Sequence, residues 1–401
     1  MSRSEESQES GVRSQESEGR SRPFLSLCMI VKNESANLPR CLASAQPFVD
    51  EMIVVDTGSQ DDTVAIAQQF GATVSTFEWC DDFAAARNFS LAQANGDWIL
   101  VLDADEELVV QSALQPEHLN ANPDYLAYWL QLTDANVVND ELTPLYPVRL
   151  FRNLPELRYT SRFHEQLTYQ QQSLTDQQLG FFRDFKILHY GYTEDQLRTK
   201  NIQRNIPILE NIRQKEGLSL MLLATLLGIY QDMGQIEKSQ DCLAEAFDRL
   251  WPNLMEGTPP DKFRFVPSLL HSLGSQALER GDFDTAIIIC QRGLQWCNTF
   301  PPLNHLTGEL FRAMGFPLAA IAYLEYCLAM GRDCTYYTGE PFDLNFTTTY
   351  PATILGCVYM DVQRWTDAKS AFELALSFKP EFELAKSNLA IVEQVLAEHS
   401  S

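Results

Sequence analysis

The strongest constraint on the fold is a change of pattern near Gln196. From Phe24 to about Tyr192, short β-rich runs alternate with helical segments, beginning with the continuous apolar run Leu25–Val31. A run without a polar side predicts a strand that is buried on both faces. Strands that alternate with helices predict right-handed βαβ crossovers and a mainly parallel sheet. The first part of the chain is therefore predicted to be an α/β domain.

Helical periodicity replaces the strand pattern after Gln196, and one arrangement then occurs four times: an apolar helix, a short turn and a second apolar helix. The predicted turns lie near Gly234, Gly281, Gly315 and Gln363. Units of about 34 residues are typical of tetratricopeptide hairpins, which stack because one hairpin alone cannot bury its apolar face. Longer insertions are expected around 252–261 and 333–348. A helical domain without repeats is the alternative.

Composition narrows the possible partners. The chain carries 54 acidic and 30 basic side chains, a formal net charge of -24, so its surface should repel nucleic acid and anionic lipid. A phosphate-bearing substrate would then need a metal ion or a local group of basic residues. Nine scattered cysteines without a C-x-x-C pair predict neither a zinc site nor a disulfide framework.

Targeting signals are absent from the sequence pattern. Residues 1–22 contain no apolar run, which predicts a disordered tail rather than a signal peptide. No stretch approaches the roughly 20 apolar residues of a membrane span. We therefore predict a cytoplasmic protein without a membrane span.

Two aspartates, Asp103 and Asp105, directly follow the strand pattern at residues 98–102. Open α/β sheets bind ligands beyond the carboxyl ends of their strands, so both carboxylates are expected at a binding edge. Hard oxygen ligands favour Mg²⁺ or Mn²⁺, and such an ion could bridge a diphosphate. The alternative is that Asp105, Glu106 and Glu107 form the acidic first turn of a helix.

Polar residues also follow the earlier predicted strands. Residues 31–34 come after the first strand, and Asp56 and Gly58 come after the second. Because parallel strands end at one edge, these groups can converge on one ligand. Asp56 is placed to accept from a base or ribose, while Ser59 is expected to cap the next helix. Arg87 is a candidate phosphate partner, with a solvated helix face as the alternative.

Five motifs in order resemble family 2 glycosyltransferases, and more narrowly the bacterial subgroup with C-terminal tetratricopeptide repeats. They are CMIVKNESANLPRCLAS, EMIVVDTGSQDDTVAIAQQFGA, FEWCDDFAAARNFSLAQANGDWILVLDADEEL, RFHEQL and ILHYGY. The resemblance is close over about residues 24–210 and looser over the repeats. It implies a GT-A fold, a nucleoside-diphosphate sugar donor with UDP as the default nucleotide, and inversion at the anomeric carbon.

The resemblance also implies roles for particular residues. The nucleotide contacts would fall on Val31, Asn33, Glu34 and Asp56, with Arg87 near the nucleotide or the phosphates. The donor and an Mn²⁺ or Mg²⁺ ion would be held by Asp103 and Asp105, and His189 in ILHYGY would add a metal or diphosphate contact.

The group that removes the acceptor proton is less sharply defined. An acceptor hydroxyl or thiol must lose its proton as it attacks the anomeric carbon. Glu165 in RFHEQL is the candidate base, His164 would orient the acceptor or a phosphate, and Asp105 completes the predicted catalytic set. The family's acidic pair near the acceptor helix has no counterpart here. For His164, the alternative is a buried structural histidine bonded to backbone.

These observations predict a metal-dependent glycosyltransferase that acts on a protein, peptide, glycan or lipid-linked acceptor, with the repeats binding the acceptor or a protein partner. The alternative is a non-catalytic repeat scaffold that carries a degenerate transferase domain. No dinucleotide-binding or P-loop glycine motif follows the first strand. The predicted domains are a tail at 1–22, the GT-A domain at 23–195, a connecting helix at 196–216 and the repeats at 217–398.

Overall fold

The computed structural model describes residues 23–112, 116–135, 145–191 and 194–399. The chain divides into two units. The first holds the described residues up to Gln131 together with Tyr146–His189, and the second holds the described residues among 132–145 and those from Tyr190 onwards. The predicted tail at 1–22 lies outside the described residues. The predicted limits of the other domains stay predictions.

A large sheet forms the centre of the first unit. In the described residues the strands are β1 (Leu25–Val31), β2 (Glu51–Asp56), β3 (Thr73–Thr76), β4 (Trp98–Val101), β5 (Glu106–Val110), β6 (Ala127–Asp134), β7 (Val148–Arg152), β8 (Leu157–Thr160), β9 (Gln166–Tyr169), β10 (Gln172–Ser173) and β11 (Leu179–His189). Eight of them form one sheet in the order β3-β2-β1-β4-β7-β6-β11-β5, and β10-β9-β8 form a second sheet.

The large sheet is parallel in its first half and antiparallel in its second. Strands β3, β2, β1 and β4 run parallel, so all four carboxyl ends lie at one edge. Strand β7 then pairs antiparallel with β4, and β6 pairs antiparallel with β7. Strand β1 is almost wholly buried because it lies inside the sheet, as its unbroken apolar run predicts. The predicted α/β fold class is confirmed.

Three helices connect the parallel strands of this sheet: α1 (Leu38–Ala45), α2 (Thr63–Gln69) and α3 (Phe83–Leu91). A short helix, α4 (Pro116–Leu119), lies between β5 and β6. At the start of α3, the side chain of Asp82 accepts from the backbone N–H of Ala85 and satisfies one free donor of the first turn. The predicted cap on α2 is wrong, because that helix begins at Thr63, and Ser59 instead accepts from the N–H of Asn33.

The second unit is helical in its described residues after Gly191. Its helices are α5 (Glu194–Lys200), α6 (Ile206–Lys215), α7 (Leu220–Asp232), α8 (Ile236–Glu256), α9 (Val266–Glu279), α10 (Phe283–Trp296), α11 (Pro301–Ala313), α12 (Pro317–Asp333), α13 (Thr349–Asp361), α14 (Trp365–Phe378) and α15 (Glu383–His399). Helices α7 to α14 form four antiparallel hairpins, and the predicted hairpin arrangement is confirmed.

The hairpin turns fall where the sequence predicted them. Gly234, Gly281 and Gly315 adopt φ of 66°, 71° and 81°, and Gln363 adopts a φ of 59°. The left-handed region ends a helix and reverses the chain within a few residues. Helix α8 continues through Pro252 to Glu256, so the first predicted insertion begins later than expected. Among the described residues, no helix combines the length and the apolar character that a membrane span requires.

Candidate active site

The loops that follow β1 and β2 are bonded to each other at the carboxyl edge of the sheet. The backbone N–H of Asn33 donates to Ser59 Oγ over 2.9 Å, and Asn33 Oδ1 accepts from the N–H of Gln60 over 2.7 Å. The N–H of Glu34 donates to Thr63 Oγ1 over 2.8 Å. Val31 lies opposite Asp56 in the strand register. Val31, Asn33, Glu34 and Asp56, which are predicted to contact a nucleotide, therefore lie together on one surface. We call this surface the wall.

Asp56 stabilises the turn that follows it. The residue is 5% exposed, and its carboxylate accepts from the N–H groups of Gly58 and Ser59, each over 3.1 Å. Gly58 has a φ of 103°, a conformation that other residues rarely adopt. The carboxylate thus holds the backbone of this wall in place.

Five charged side chains form a continuous network beside this wall, and we call it the ion-pair network. Arg87, on α3, donates through Nε to Glu165 over 2.5 Å and through Nη2 to Asp103 over 2.8 Å. Arg149, on β7, donates to the other oxygen of Asp103 over 2.7 Å and to Glu106 over 2.6 Å. Each carboxylate therefore has a guanidinium partner, and Asp103 has two.

Burial sets the protonation of this network. Burial acts to raise the pKa of Asp103, but Arg149 and Arg87 together outweigh it, so this pKa lies well below its ordinary value. For Glu106, burial outweighs the attraction of Arg149 and raises the pKa to about 7. Burial also raises the pKa of Tyr159 to about 12. Asp103 is therefore a fixed negative charge held by two positive ones.

Each of the two arginines, Arg87 and Arg149, has a buried N–H group that does not donate to any acceptor in the described residues. Arg87 is 6% exposed, so the alternative of a solvated helix face is wrong. Its Nη1 and the Nε of Arg149 are buried and have no hydrogen-bond acceptor in the described part of the chain. The guanidinium of Arg87 lies 5.7 Å from the centre of the Tyr159 ring. Buried N–H groups usually have an acceptor, and their lack of one is a feature of sites that bind an anion or polar ligand.

The candidate base and its neighbour differ in environment. The Glu165 side chain is 15% exposed and is held by Arg87. His164 is exposed, has a φ of 51° and lies against the ring of Phe163 at 5.2 Å. The alternative of a buried structural histidine is therefore wrong.

Asp105 and His189 come together next to the network. Asp105 Oδ2 lies 3.4 Å from His189 Nε2, with the carboxylate side chain 5% and the imidazole 35% exposed. No cluster of three His, Cys, Asp or Glu side chains suited to a metal occurs in the ranges that the structure describes. A pair of protein ligands can hold a divalent cation where phosphate oxygens and water complete its coordination.

Comparisons with known proteins show which family this chain resembles. A family model described as glycosyl transferase family 2 matches residues 26–178. A TPR repeat-containing protein of Synechococcus elongatus is 36% identical over 276 residues, which cover 68% of this chain and 66% of that protein. An uncharacterized glycosyltransferase of Rickettsia felis is 43% identical over 111 residues, which cover 27% of this chain and 39% of that protein.

The chain carries a family 2 glycosyltransferase domain. The cyanobacterial match is longer than either structural unit, so it includes residues of both. The predicted resemblance to family 2 glycosyltransferases with C-terminal tetratricopeptide repeats is confirmed. Among solved structures, glucosyl-3-phosphoglycerate synthase from Mycobacterium tuberculosis matches with a TM-score of 0.34 and 19% identity over 47% of this chain and 79% of that chain.

Sequence reasoning missed two members of the ion-pair network in the glycosyltransferase domain. Arg149 is the second residue of the short strand β7, and nothing in its neighbours marks it as functional. For Glu106 the sequence indicates only a place in an acidic helical turn, and that alternative is wrong because residues from Glu106 to Val110 form β5. The signal for Glu106 was its place beside two aspartates at the end of an apolar strand.

Proposed function

We propose that the glycosyltransferase domain transfers a sugar from a nucleoside-diphosphate sugar to an acceptor hydroxyl or thiol, with inversion at the anomeric carbon. The observation that carries the proposal is the ion-pair network beside the Asp105–His189 pair. At one sheet edge it supplies a carboxylate for proton removal, guanidinium groups for an anion and two ligands for a cation.

The nucleoside would bind the wall formed by the loops after β1 and β2. In this proposal the side chains of Asn33 and Glu34 face the nucleotide, while Asp56 fixes the backbone that meets the base or ribose. Asp103 binds the donor. Because both of its oxygens already accept from arginines, we assign it to positioning of the donor and not to the ion.

The proposed reaction is a single displacement. The acceptor oxygen or sulfur forms a bond to the anomeric carbon while the bond from that carbon to the diphosphate breaks. Glu165 takes the acceptor proton, and the nucleoside diphosphate leaves with the bonding electron pair. Arg87 holds Glu165 in place and lies where negative charge develops. His164, next to Glu165, would orient the acceptor.

A divalent cation, Mn²⁺ or Mg²⁺, is part of the proposal. Asp105 and His189 would hold it, and diphosphate oxygens would complete its coordination. When bound, the ion would stabilise the charge of the leaving diphosphate. This role suits a site in which two guanidinium groups already pair with three carboxyl groups (Asp103, Glu106 and Glu165) and a fourth, Asp105, lies close by.

For the acceptor we propose a protein or peptide. Stacked helical hairpins present extended surfaces of the kind that recognise polypeptides. Glycan and lipid-linked acceptors are the competing outcomes of an acceptor screen. The net charge of -24 argues against nucleic acid. A cytoplasmic location stays a prediction.

The test is release of nucleoside diphosphate from a panel of UDP-, GDP- and dTDP-sugars with Mn²⁺ or with EDTA. Glu165→Gln should slow transfer by about 10²- to 10⁴-fold while donor binding, followed by thermal shift, is retained. The matched control is Asp124→Asn, an exposed carboxyl before β6 at the opposite edge of the sheet.

The competing candidate is a non-catalytic repeat scaffold. It predicts no turnover of any donor and no effect of Glu165→Gln or Asp105→Asn. Turnover that is unchanged in both variants would also contradict the roles proposed for Glu165 and Asp105, because other residues would then carry out the reaction.

A further inference from the structure

The second predicted insertion lies on the repeats as an ordered segment. Residues 334–348, which we call the strap, connect α12 to α13 and include a short 3-10 helix, Leu344–Thr347. That helix contacts α11, α12 and α13. The first helices of successive hairpins, α9, α11 and α13, are neighbours in a row. The strap therefore lies along the row of first helices.

The first half of the strap is held by directed hydrogen bonds. The N–H of Tyr337 donates to the carbonyl of Thr299 over 2.9 Å, just before α11. Glu340 accepts from the N–H of Ser268 over 2.8 Å and from its hydroxyl over 2.7 Å. Ser268 lies in the first turn of α9, where backbone N–H groups have no acceptor within the helix and can donate to a carboxyl oxygen. Glu340 is 1% exposed, so this contact is fully enclosed.

Two phenylalanines anchor the rest of the strap. Phe342 is buried and its ring lies 5.7 Å from that of Phe300, at the start of α11. Phe346 lies 5.3 Å from the rings of both His271 on α9 and His305 on α11. In the strap, Glu340 is thus followed two and six positions later by Phe342 and Phe346. All three side chains contact α9, α11 or the residue just before α11.

The contact between the strap and the first helices leaves polar atoms without hydrogen bonds. Among the described residues, the buried atoms without a partner include His305 Nε2 on α11 and Thr349 Oγ1 on α13, and on the strap itself Glu340 Oε2. His305 is 6% exposed, and its other nitrogen lies 3.3 Å from the carboxylate of Glu309. A segment fixed permanently in a core is expected to satisfy such atoms. Unsatisfied polar atoms suit a surface that also receives a second ligand with donors and acceptors of its own.

We propose that the strap occupies a peptide-binding surface on the first helices of the repeats, and that an extended segment of a partner protein replaces it there. The partner segment carries a side-chain carboxylate followed two and six positions later by aromatic residues. The strap acts as an internal competitor that closes the surface until such a segment binds. This inference does not depend on sugar transfer, because it is tested by peptide binding alone.

The direct test measures binding of a fluorescein-labelled synthetic peptide with the sequence of residues 334–348, in which Cys334→Ser at the first position prevents oxidation. Fluorescence anisotropy compares the full chain with the double variant Phe342→Ala/Phe346→Ala. Because a tethered competitor has an effective concentration near the millimolar range, release of the strap should strengthen peptide binding by at least about tenfold. The control protein is Phe378→Ala, an exposed phenylalanine at the end of α14.

The control peptide has Glu340→Lys and both phenylalanines replaced by alanine, and it should not bind. Equal affinity of wild type and a folded double variant for the strap peptide would overturn the proposal. Equal binding of the control peptide would overturn the stated partner chemistry.

A second measurement covers the case in which the double variant does not fold. In the wild-type chain, hydrogen–deuterium exchange should be at least about tenfold faster at the strap amides of Tyr337 and Phe346 than at amides inside α9 and α11, because a replaceable segment opens without global unfolding. Strap amides that exchange as slowly as those helices would make the strap part of the core and overturn the proposal.

Discussion

The ion-pair network predicts a large stability loss from one substitution, Arg149→Met. Methionine fills a volume close to that of the arginine stem but removes both of its bonds, at 2.7 Å to Asp103 and 2.6 Å to Glu106. Removal of one partner from a buried ion pair costs about 3–5 kcal/mol, because the other charge stays buried without compensation.

The structure places the expected loss at the lower end of that range. Asp103 keeps its bond to Arg87 at 2.8 Å, and Glu106 keeps the backbone N–H of Asp103, also at 2.8 Å. We expect a loss of about 3 kcal/mol, which corresponds to a fall of roughly 6–12 °C in the melting temperature of a domain of this size.

Differential scanning calorimetry of the full chain measures the fall. The control is His118→Ala, which removes an ion pair with Asp184 in the same unit whose histidine side chain is 46% exposed. An exposed pair contributes at most about 1 kcal/mol, so the control should stay within roughly 4 °C of the wild type. An Arg149→Met melting temperature as close to wild type as that of the control would refute the argument that the network is buried and mutually compensated.

Two further predictions concern the repeats. A methyl group on Gly356 would lie 2.6 Å from the ring of Phe372, so Gly356→Ala should lower the free energy of unfolding in urea by about 1–3 kcal/mol. Gly228 has open space around it, so Gly228→Ala should raise that free energy by up to about 1 kcal/mol. Equal effects of the two substitutions would contradict the close helix crossing at Gly356. Burial raises the pKa of Glu340 to about 7, so its contribution to stability is full below pH 4.5 and is lost as the pH rises through 7. The wild type should therefore lose up to about 3 kcal/mol of stability between pH 4.5 and 8, and Glu340→Gln should not show this loss. Melting temperatures that fall equally with pH in the variant and the wild type would contradict the prediction.

The sequence could predict the elements of this fold because each has a local signal. The apolar run Leu25–Val31 is a buried strand over the same residues in the structure. The hairpin turns at Gly281 and Gly315 are marked by a residue type that tolerates positive φ. Such signals act within a few residues, so one sequence contains them in full. Ser59 misled the prediction because its hydroxyl has a partner on another loop, the N–H of Asn33.

The candidate site was less accessible to prediction because it depends on partners far apart in the chain. Asp103 and Glu165 could be singled out by their motifs, but Arg149 meets Asp103 across 46 positions of sequence and lies in a strand that has no recognisable motif. The strand register of β4 and β7 brings that arginine to the carboxyl edge. Register depends on packing over the whole sheet, so no local pattern in the sequence predicts it.

The excess of carboxyl groups at the site makes one last prediction, on removal of metal. Two guanidinium groups cannot balance Asp103, Asp105 and Glu165 and a diphosphate as well, so the nucleotide should need the cation in order to bind. A unit charge at about 4 Å is worth roughly 4 kcal/mol at an effective dielectric constant of 20. We therefore expect the Kd of UDP, measured by titration calorimetry, to rise by about 10- to 1000-fold when Mn²⁺ is replaced by EDTA.

The variant His189→Gln tests the same argument at one ligand. The side chain lies at the end of β11, 35% exposed, so its replacement should not disturb the sheet. The affinity for UDP in EDTA should stay that of the wild type, because no ion is present for the histidine to hold. In Mn²⁺ the variant should lose most of the gain that the ion gives the wild type. Tight UDP binding in EDTA would show that the arginines alone overcome the carboxyl groups, and the proposed cation would then have no electrostatic reason to be there.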